Sequence, residues 1–222
     1  MPVLRVCIDR RPPPKTDRER LALVKDAKWQ PGDVIRAMFM DGDPVIQQKV
    51  EQVAQTWMAY ADLVLYFGDD PEADIRISFL ERGSWSYIGT ECHQIPHGRP
   101  TMNYGWLTRD ISDDEVSRVV LHEFGHALGC IHEHQNPVGG IKWAREVVYE
   151  YYAGPPNFWS QEDVDHNVFE THSKDLTVYS HLDAESIMMY PIPREFTLDG
   201  FAVELNATLS EMDKEFIRQQ YT

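Results

Sequence analysis

The chain of 222 residues is poor in cysteine, with Cys7, Cys92 and Cys130 alone. An odd count without repeated spacing excludes a cysteine-only zinc site and a disulfide framework, and leaves room for one bridge at most. No apolar run approaches the roughly 20 residues that a membrane span needs. The opening stretch "MPVLRVCIDRRPPPK" lacks the apolar core of a signal peptide, so the expected setting is the cytoplasm, or export by a signal not present in this chain. Internal repeats are missing too. Basic charge is scarce: 21 Lys and Arg face 36 Asp and Glu, for a net charge of −15. Such a field repels nucleic acid. The densest basic stretch, "DRRPPPKTDRER", mixes both signs with three prolines and is expected to be a solvated or partly disordered arm.

What is present fits an ordinary globular domain with 42% hydrophobic and 26% charged residues. After a turn, "VIRAMFM" reads as a strand over about Val34 to Met40. From Pro44 the spacing becomes helical, with Ile46, Val50, Val53, Trp57 and Ala61 on one stripe. "LVLYFG" and "ADIRISFL" read as strands, "GSWSYIGTE" is rich in glycine and aromatics, and "PTMNYGWL" is a short strand or loop. Ser112 and Glu115 have capping-box spacing ahead of a helix whose apolar stripe is Val116, Val119, Val120, Phe124, Ala127 and Leu128. Gly129 stands where a C-cap glycine ends a helix. A short helix near "AREVVYEYY" and a last one over about Ser210 to Tyr221 complete the pattern. The fold class is therefore α+β. An N-terminal lobe (about 28–132) carries a twisted mixed sheet and two helices. A loop-rich C-terminal lobe (about 133–222) joins it in one domain, with residues 1–27 as an arm.

The stretch "HEFGHALGCIHEH" holds four of the nine histidines. On a helix, His122 and His126 project from one face one turn apart, so both imidazoles can reach one tetrahedral zinc. Glu123 beside them can reach a water without ligating the metal. At this composition His-Glu-x-x-His arises by chance in roughly 3% of shuffled chains. With Gly129 and His132 at fixed offsets that falls to on the order of one in 15,000. The glycine allows the sharp turn that brings His132 back as third ligand. Glu146 or Glu150 from the next helix is the rival third ligand, more simply a polar helix face. His134 breaks the spacing and is expected in a supporting place.

The full string from His122 to His132 resembles the zinc signature of the metzincins, and "SIMMYP" supplies the methionine turn of that clan. Glu133 after the third histidine, with Ser186, Met188 and Tyr190, resembles the astacins, as do "ADIRISF", "GSWSYIG" and "PTMNYG". The resemblance covers about Lys28 to the C-terminus. It implies Met188 as the hydrophobic base beneath the zinc, Tyr190 as fifth ligand or oxyanion donor, and an edge strand near "GSWSYIG" that binds extended substrate. Three features depart from the astacins. Three cysteines cannot form their two disulfides, Met189 stands in place of a histidine, and their buried mature N-terminus has no evident counterpart.

The reading is a zinc-dependent endopeptidase acting on an extended peptide, with Glu123 as general base, Tyr190 steadying the carbonyl oxygen, and no nucleic-acid or membrane partner. Oligomeric state is not readable. A catalytically silent, zinc-stabilised peptide-binding module and a non-peptide amidase are the alternatives; the first has no use for Glu123. Cys7 or Asp9 from the arm would make the enzyme latent by ligating zinc, but the simpler expectation is a small strand residue and a surface carboxylate.

Overall fold

The computed structural model describes residues 3–12, 27–171 and 182–222. Five strands form one sheet: β1 (Val34–Phe39), β2 (Val64–Phe67), β3 (Ile75–Ser78), β4 (Ser84–Ser86) and β5 (Met102–Tyr104), in the order β2-β1-β3-β5-β4. β1, β2, β3 and β5 run parallel, and β4 runs antiparallel to β5 at the edge. β1 and β2 alternate: Ile35, Ala37 and Leu65 are buried while Val34, Val64 and Tyr66 face out. β3 and β5 are buried along their whole length because layers cover both of their faces.

Helix α1 (Pro44–Ala54) begins with Asp43 accepting from the Val45 amide, its proline at a position that needs no donor. The stripe expected to run on to Ala61 tightens into a 3-10 turn over Gln55–Ala59. That turn seats Trp57, fully buried, with its Nε1 donating to Leu121 O at 3.0 Å. Leu121 belongs to α2 (Asp113–Ala127), capped by Ser112, which accepts from the Glu115 amide. The expected capping box is half made. The Glu115 carboxylate turns instead to Arg118 and to the Trp106 indole. Helix α3 (Arg145–Ala153) and helix α5 (Glu211–Gln220) fall where the periodicity puts them. A short α4 (Gln161–Val164), continuing as a π turn over Asp165–Phe169, was not anticipated, though Ser160 and Asp163 at capping-box spacing announce it.

Apolar side chains gather in two clusters. One joins the sheet with α1, α2, Met188, the α5 residue Ile217 and Tyr221 just after that helix. The other joins Val148 and Tyr152 of α3 with Tyr190, Phe196 and, from the N-terminal stretch, Leu4, Val6 and Cys7. Residues 3–12 are thus packed in, not a solvated arm. Charges and prolines dominate from Asp9 onward, but before it Leu4 and Val6 alternate as a half-buried strand does, each side chain contributing about 1.5–3 kcal/mol by burial. The continuation of the basic stretch, 13–26, lies outside the described residues. Among the described residues, no helix is long and apolar enough to cross a membrane.

Candidate metal centre

The last turns of α2 set His122 and His126 on one face, their ring centroids 4.8 Å apart. The helix then closes in a Schellman motif: Cys130 N donates to Gly125 O at 2.9 Å and Gly129 N to His126 O at 2.8 Å. Gly129 has φ 90°, a conformation that a side chain strains against. Through this turn the chain reverses, and His132 arrives with its ring 4.6 Å from His126 and 5.2 Å from His122. The Nε2 atoms of His126 and His132 face each other at 3.1 Å. Two nitrogens bound to one tetrahedral zinc, each at about 2.0–2.1 Å, stand about 3.4 Å apart, so the cradle has the right size.

A second layer of contacts fixes each ring. His122 Nδ1 lies 2.8 Å from Ile187 O, and His126 Nδ1 lies 2.9 Å from Cys130 O. A carbonyl only accepts, so both rings carry their proton on Nδ1 and leave the Nε2 lone pair free for a metal. His132 Nδ1 faces Gln135 Oε1 at 3.3 Å, with the Gln135 amide nitrogen donating to His166 O. Burial lowers the pKa of all three imidazoles, which favours the neutral form that ligates. His122 Nε2 is buried without a partner among the described residues, as expected of an atom facing a metal position.

The fourth donor is Cys7. Its Sγ donates to Glu123 Oε2 at 3.3 Å, and one ligand atom each from Cys7, His122, His126 and His132 lies within 4.8 Å of all the others. The sequence reading of Cys7 as a plain strand residue is therefore corrected. It pairs in parallel with Ser84 of β4, which delivers its thiol to the histidines. Asp9 is no surface carboxylate either: its side chain is 5% exposed, with Arg11 at 3.1 Å and His166 at 3.3 Å. Burial alone would raise the Asp9 carboxyl, but the hydrogen bond to His166 and the charge of Arg11 hold it well below the usual range. Without a metal charge nearby, burial pushes the Cys7 thiol well up and the Glu123 carboxyl to about 8. A divalent cation reverses that logic by favouring both anions.

Met188 lies under the cradle, where a Cβ added at Gly125 would stand 2.3 Å from its sulfur. The turn is pinned from α5, since Asp213 accepts from Ser186 Oγ at 2.7 Å and from Ile187 N at 2.8 Å. Tyr190 is buried beside His132, but its hydroxyl donates to the main-chain carbonyl of Cys7. His134 packs 4.2 Å from the Tyr190 ring and 5.3 Å from His132, in the supporting place expected of it. Glu133 is half-buried, accepts from Asp183 N at 3.1 Å, and is raised to about 7 by desolvation. Glu146 and Glu150 point to solvent from α3 and take no part in the cluster. Sequence reasoning missed Gln135 and Asp213. For Asp213 the signal was its capping-box spacing with Ser210.

The structure is similar to that of myroilysin, a metzincin-type zinc protease, with 46% identity, a TM-score of 0.86, and coverage of 89% of this chain and 97% of that one. The chain belongs to the metzincin zinc proteases. A crystal structure of myroilysin matches 98% of this metzincin and 90% of that chain at 43% identity, with a TM-score of 0.72. High choriolytic enzyme 1, a hatching enzyme zinc-protease from medaka (Oryzias latipes), shares the fold at 17% identity and a TM-score of 0.52, over 86% of this chain and 90% of that one. Interstitial collagenase of Bos taurus is 26% identical over 132 residues, 54% of this chain but 27% of the collagenase. No family model matches the chain. With three imidazoles and a thiol converging in a buried cradle, zinc is the cofactor of this metzincin, which is a metalloprotease acting on peptides.

Proposed function

We propose that this metzincin is an astacin-like endopeptidase in a latent form, with one catalytic domain over residues 28–222 and the N-terminal stretch lying in its cleft. His122, His126 and His132 would hold the zinc, and Cys7 would be a further donor to it while the N-terminal stretch stays in place. The convergence of these four donors beside Glu123 supports the reading most directly.

Zinc, when bound, supplies a Lewis acid that polarises the scissile carbonyl and lowers the pKa of water. Glu123 Oε2, which accepts the Cys7 proton here, takes the proton of the attacking water and passes it to the leaving nitrogen. The Tyr190 hydroxyl, which donates to the carbonyl of Cys7 here, donates to the scissile carbonyl oxygen of a substrate as charge builds there. Met188 is packing beneath the site. Ile8 N donates to Ser84 O at 2.9 Å, so the N-terminal stretch occupies the edge of β4 on which an extended substrate would pair. Substrate and stretch compete for one edge. The charge of −15 and the absence of a membrane-spanning helix among the described residues give no support for nucleic-acid or membrane partners.

The test uses the full chain carrying Cys7→Ser, loaded with zinc, on a denatured protein mixture. Adding Glu123→Ala should keep stoichiometric zinc while lowering kcat by about 10²–10⁴-fold, the range of a positioned general base. Undiminished turnover removes the mechanism. Zinc binding without any cleavage in the parent favours the silent binding module, and hydrolysis confined to small amides favours the amidase.

A further inference from the structure

The N-terminal stretch lies on the substrate edge as an extended peptide, so the pockets that hold its side chains are pockets a substrate side chain can fill. The most built of these holds Arg10. Its guanidinium carbon lies 3.9 Å from the centre of the Trp85 ring, and its Nη2 lies 2.8 Å from Glu81 Oε2. Tyr87 packs edge-on against Trp85 at 5.8 Å and closes the aromatic side. Trp85 is part of β4 itself, buried, with its Nε1 lacking a partner among the described residues.

The acidic wall is preformed. Asn103 of β5 accepts from Glu81 N at 3.2 Å and donates to Glu81 O at 2.9 Å and to Gly83 O, which fixes the loop in place whatever lies in the cleft. Further along, on the 3-10 turn after β4, Glu91 has a buried carboxyl oxygen without a partner among the described residues, and Arg11 is the cation that acts on it. An aromatic face with a carboxylate at its rim is the chemistry that recognises a cation on a flexible stem.

From this cage, and resting on the peptidase reading above, we infer that β4 carries a specificity subsite for an arginine or lysine side chain of the substrate, made by Trp85 and Glu81 and filled here by Arg10. Arg10 thereby gains a role: it imitates the substrate class that this cage selects. Arg10 stands three positions from Cys7, so the selected residue falls within about three positions of the cleaved bond.

The experiment uses the zinc-loaded full chain carrying Cys7→Ser and Arg10→Glu; the second change sets a carboxylate against Glu81 and empties the cage. Cleavage sites in a denatured protein mixture are mapped by mass spectrometry. Arginine and lysine should be enriched about 5- to 30-fold at one fixed position, the combined scale of a cation–π contact and a partly exposed ion pair. Glu81→Lys in the Cys7→Ser chain with Arg10 retained, where the two cations repel and again empty the cage, should erase that enrichment and favour acidic residues there. Cleavage without basic enrichment, or enrichment unchanged by Glu81→Lys, overturns the subsite and leaves the peptidase reading standing. A complete lack of cleavage instead defeats the peptidase reading, and binding then decides the subsite. In that arm, fluorescence polarisation compares a labelled peptide of residues 3–12 having alanine for Cys7 with the same peptide also having alanine for Arg10. Tighter binding of the first by about fivefold or more supports the cage, and equal or absent binding of both overturns it.

Discussion

The two sides of the donor cluster are held in different ways. On the histidine side, main-chain carbonyls of Ile187 and Cys130 orient two of the rings, and a glycine turn and a helix cap fix those carbonyls. On the Cys7 side, one main-chain bond, Ile8 N to Ser84 O, and the Tyr190 hydroxyl on Cys7 O are joined by separate side-chain contacts: Asp9 with His166, Arg10 with Glu81, and the Asn157 amide on Leu4 O at 3.3 Å. The first set cannot be undone without unfolding α2 or the methionine turn. The second can let go one contact at a time. A metal site with one permanent wall and one removable wall is what a latent hydrolase requires.

The largest test of that contrast is His132→Ala. It should weaken zinc beyond the roughly 10–100-fold that loss of an outer hydrogen-bond partner costs, while Glu146→Ala and Glu150→Ala leave metal content unchanged. Zinc analysis of the purified variants decides it; a glutamate variant that sheds zinc reverses the ligand assignment.

Next, with Cys7→Ser as background, Tyr190→Phe should retain zinc and a near-normal KM. Its kcat should fall by about 10²–10³, or about 2.7–4 kcal/mol, since a donor to the developing oxyanion acts on the transition state. An unaltered kcat makes Tyr190 packing only.

A third prediction concerns the fixed wall of the groove. Burial raises the Glu91 carboxyl to about 7. The folded chain therefore binds more protons than the unfolded chain between about pH 4.5 and 7, and stability falls as pH rises through that window. Glu91→Gln should remove a fall on the order of 3 kcal/mol from that interval, read from denaturant midpoints at several pH values. An identical slope in the variant places the linkage elsewhere.

Smallest, and on the removable side, Cys7→Ser in the full chain should raise activity about tenfold, because the thiol is one of several contacts that hold the stretch. Equal activity in parent and variant would show that the side-chain contacts alone keep the cleft shut.

The two regions also differ in how legible they were. The histidine side is written locally: His122, His126, Gly129 and His132 lie within one helix and its turn, so spacing alone predicts their convergence. β1, β2, β3, α1, α2, α3 and α5 were likewise readable from alternation, helical spacing and caps, whereas β5 stood open between strand and loop and β4 was legible only through the family resemblance. Cys7 meets Glu123 across 116 positions, and the Tyr190 hydroxyl meets the Cys7 carbonyl across 183. No period or motif reports a pairing of that range. The composition of the stretch misled as well, since its charges outnumber the alternating Leu4 and Val6 that seat it. Asp213 was hidden for a related reason: its spacing marks a helix cap, and the same carboxylate also accepts from Ser186 and Ile187.

That double duty of Asp213 bears on how the protein is made. A ribosome releases the histidines of α2 well before the helix that pins the turn beneath them. Until α5 emerges and docks, Ile187 has no anchor for the carbonyl that orients His122, and the site lacks its floor. A nascent chain can thus show its zinc motif without a finished centre, and hydrolytic competence waits for α5 to dock.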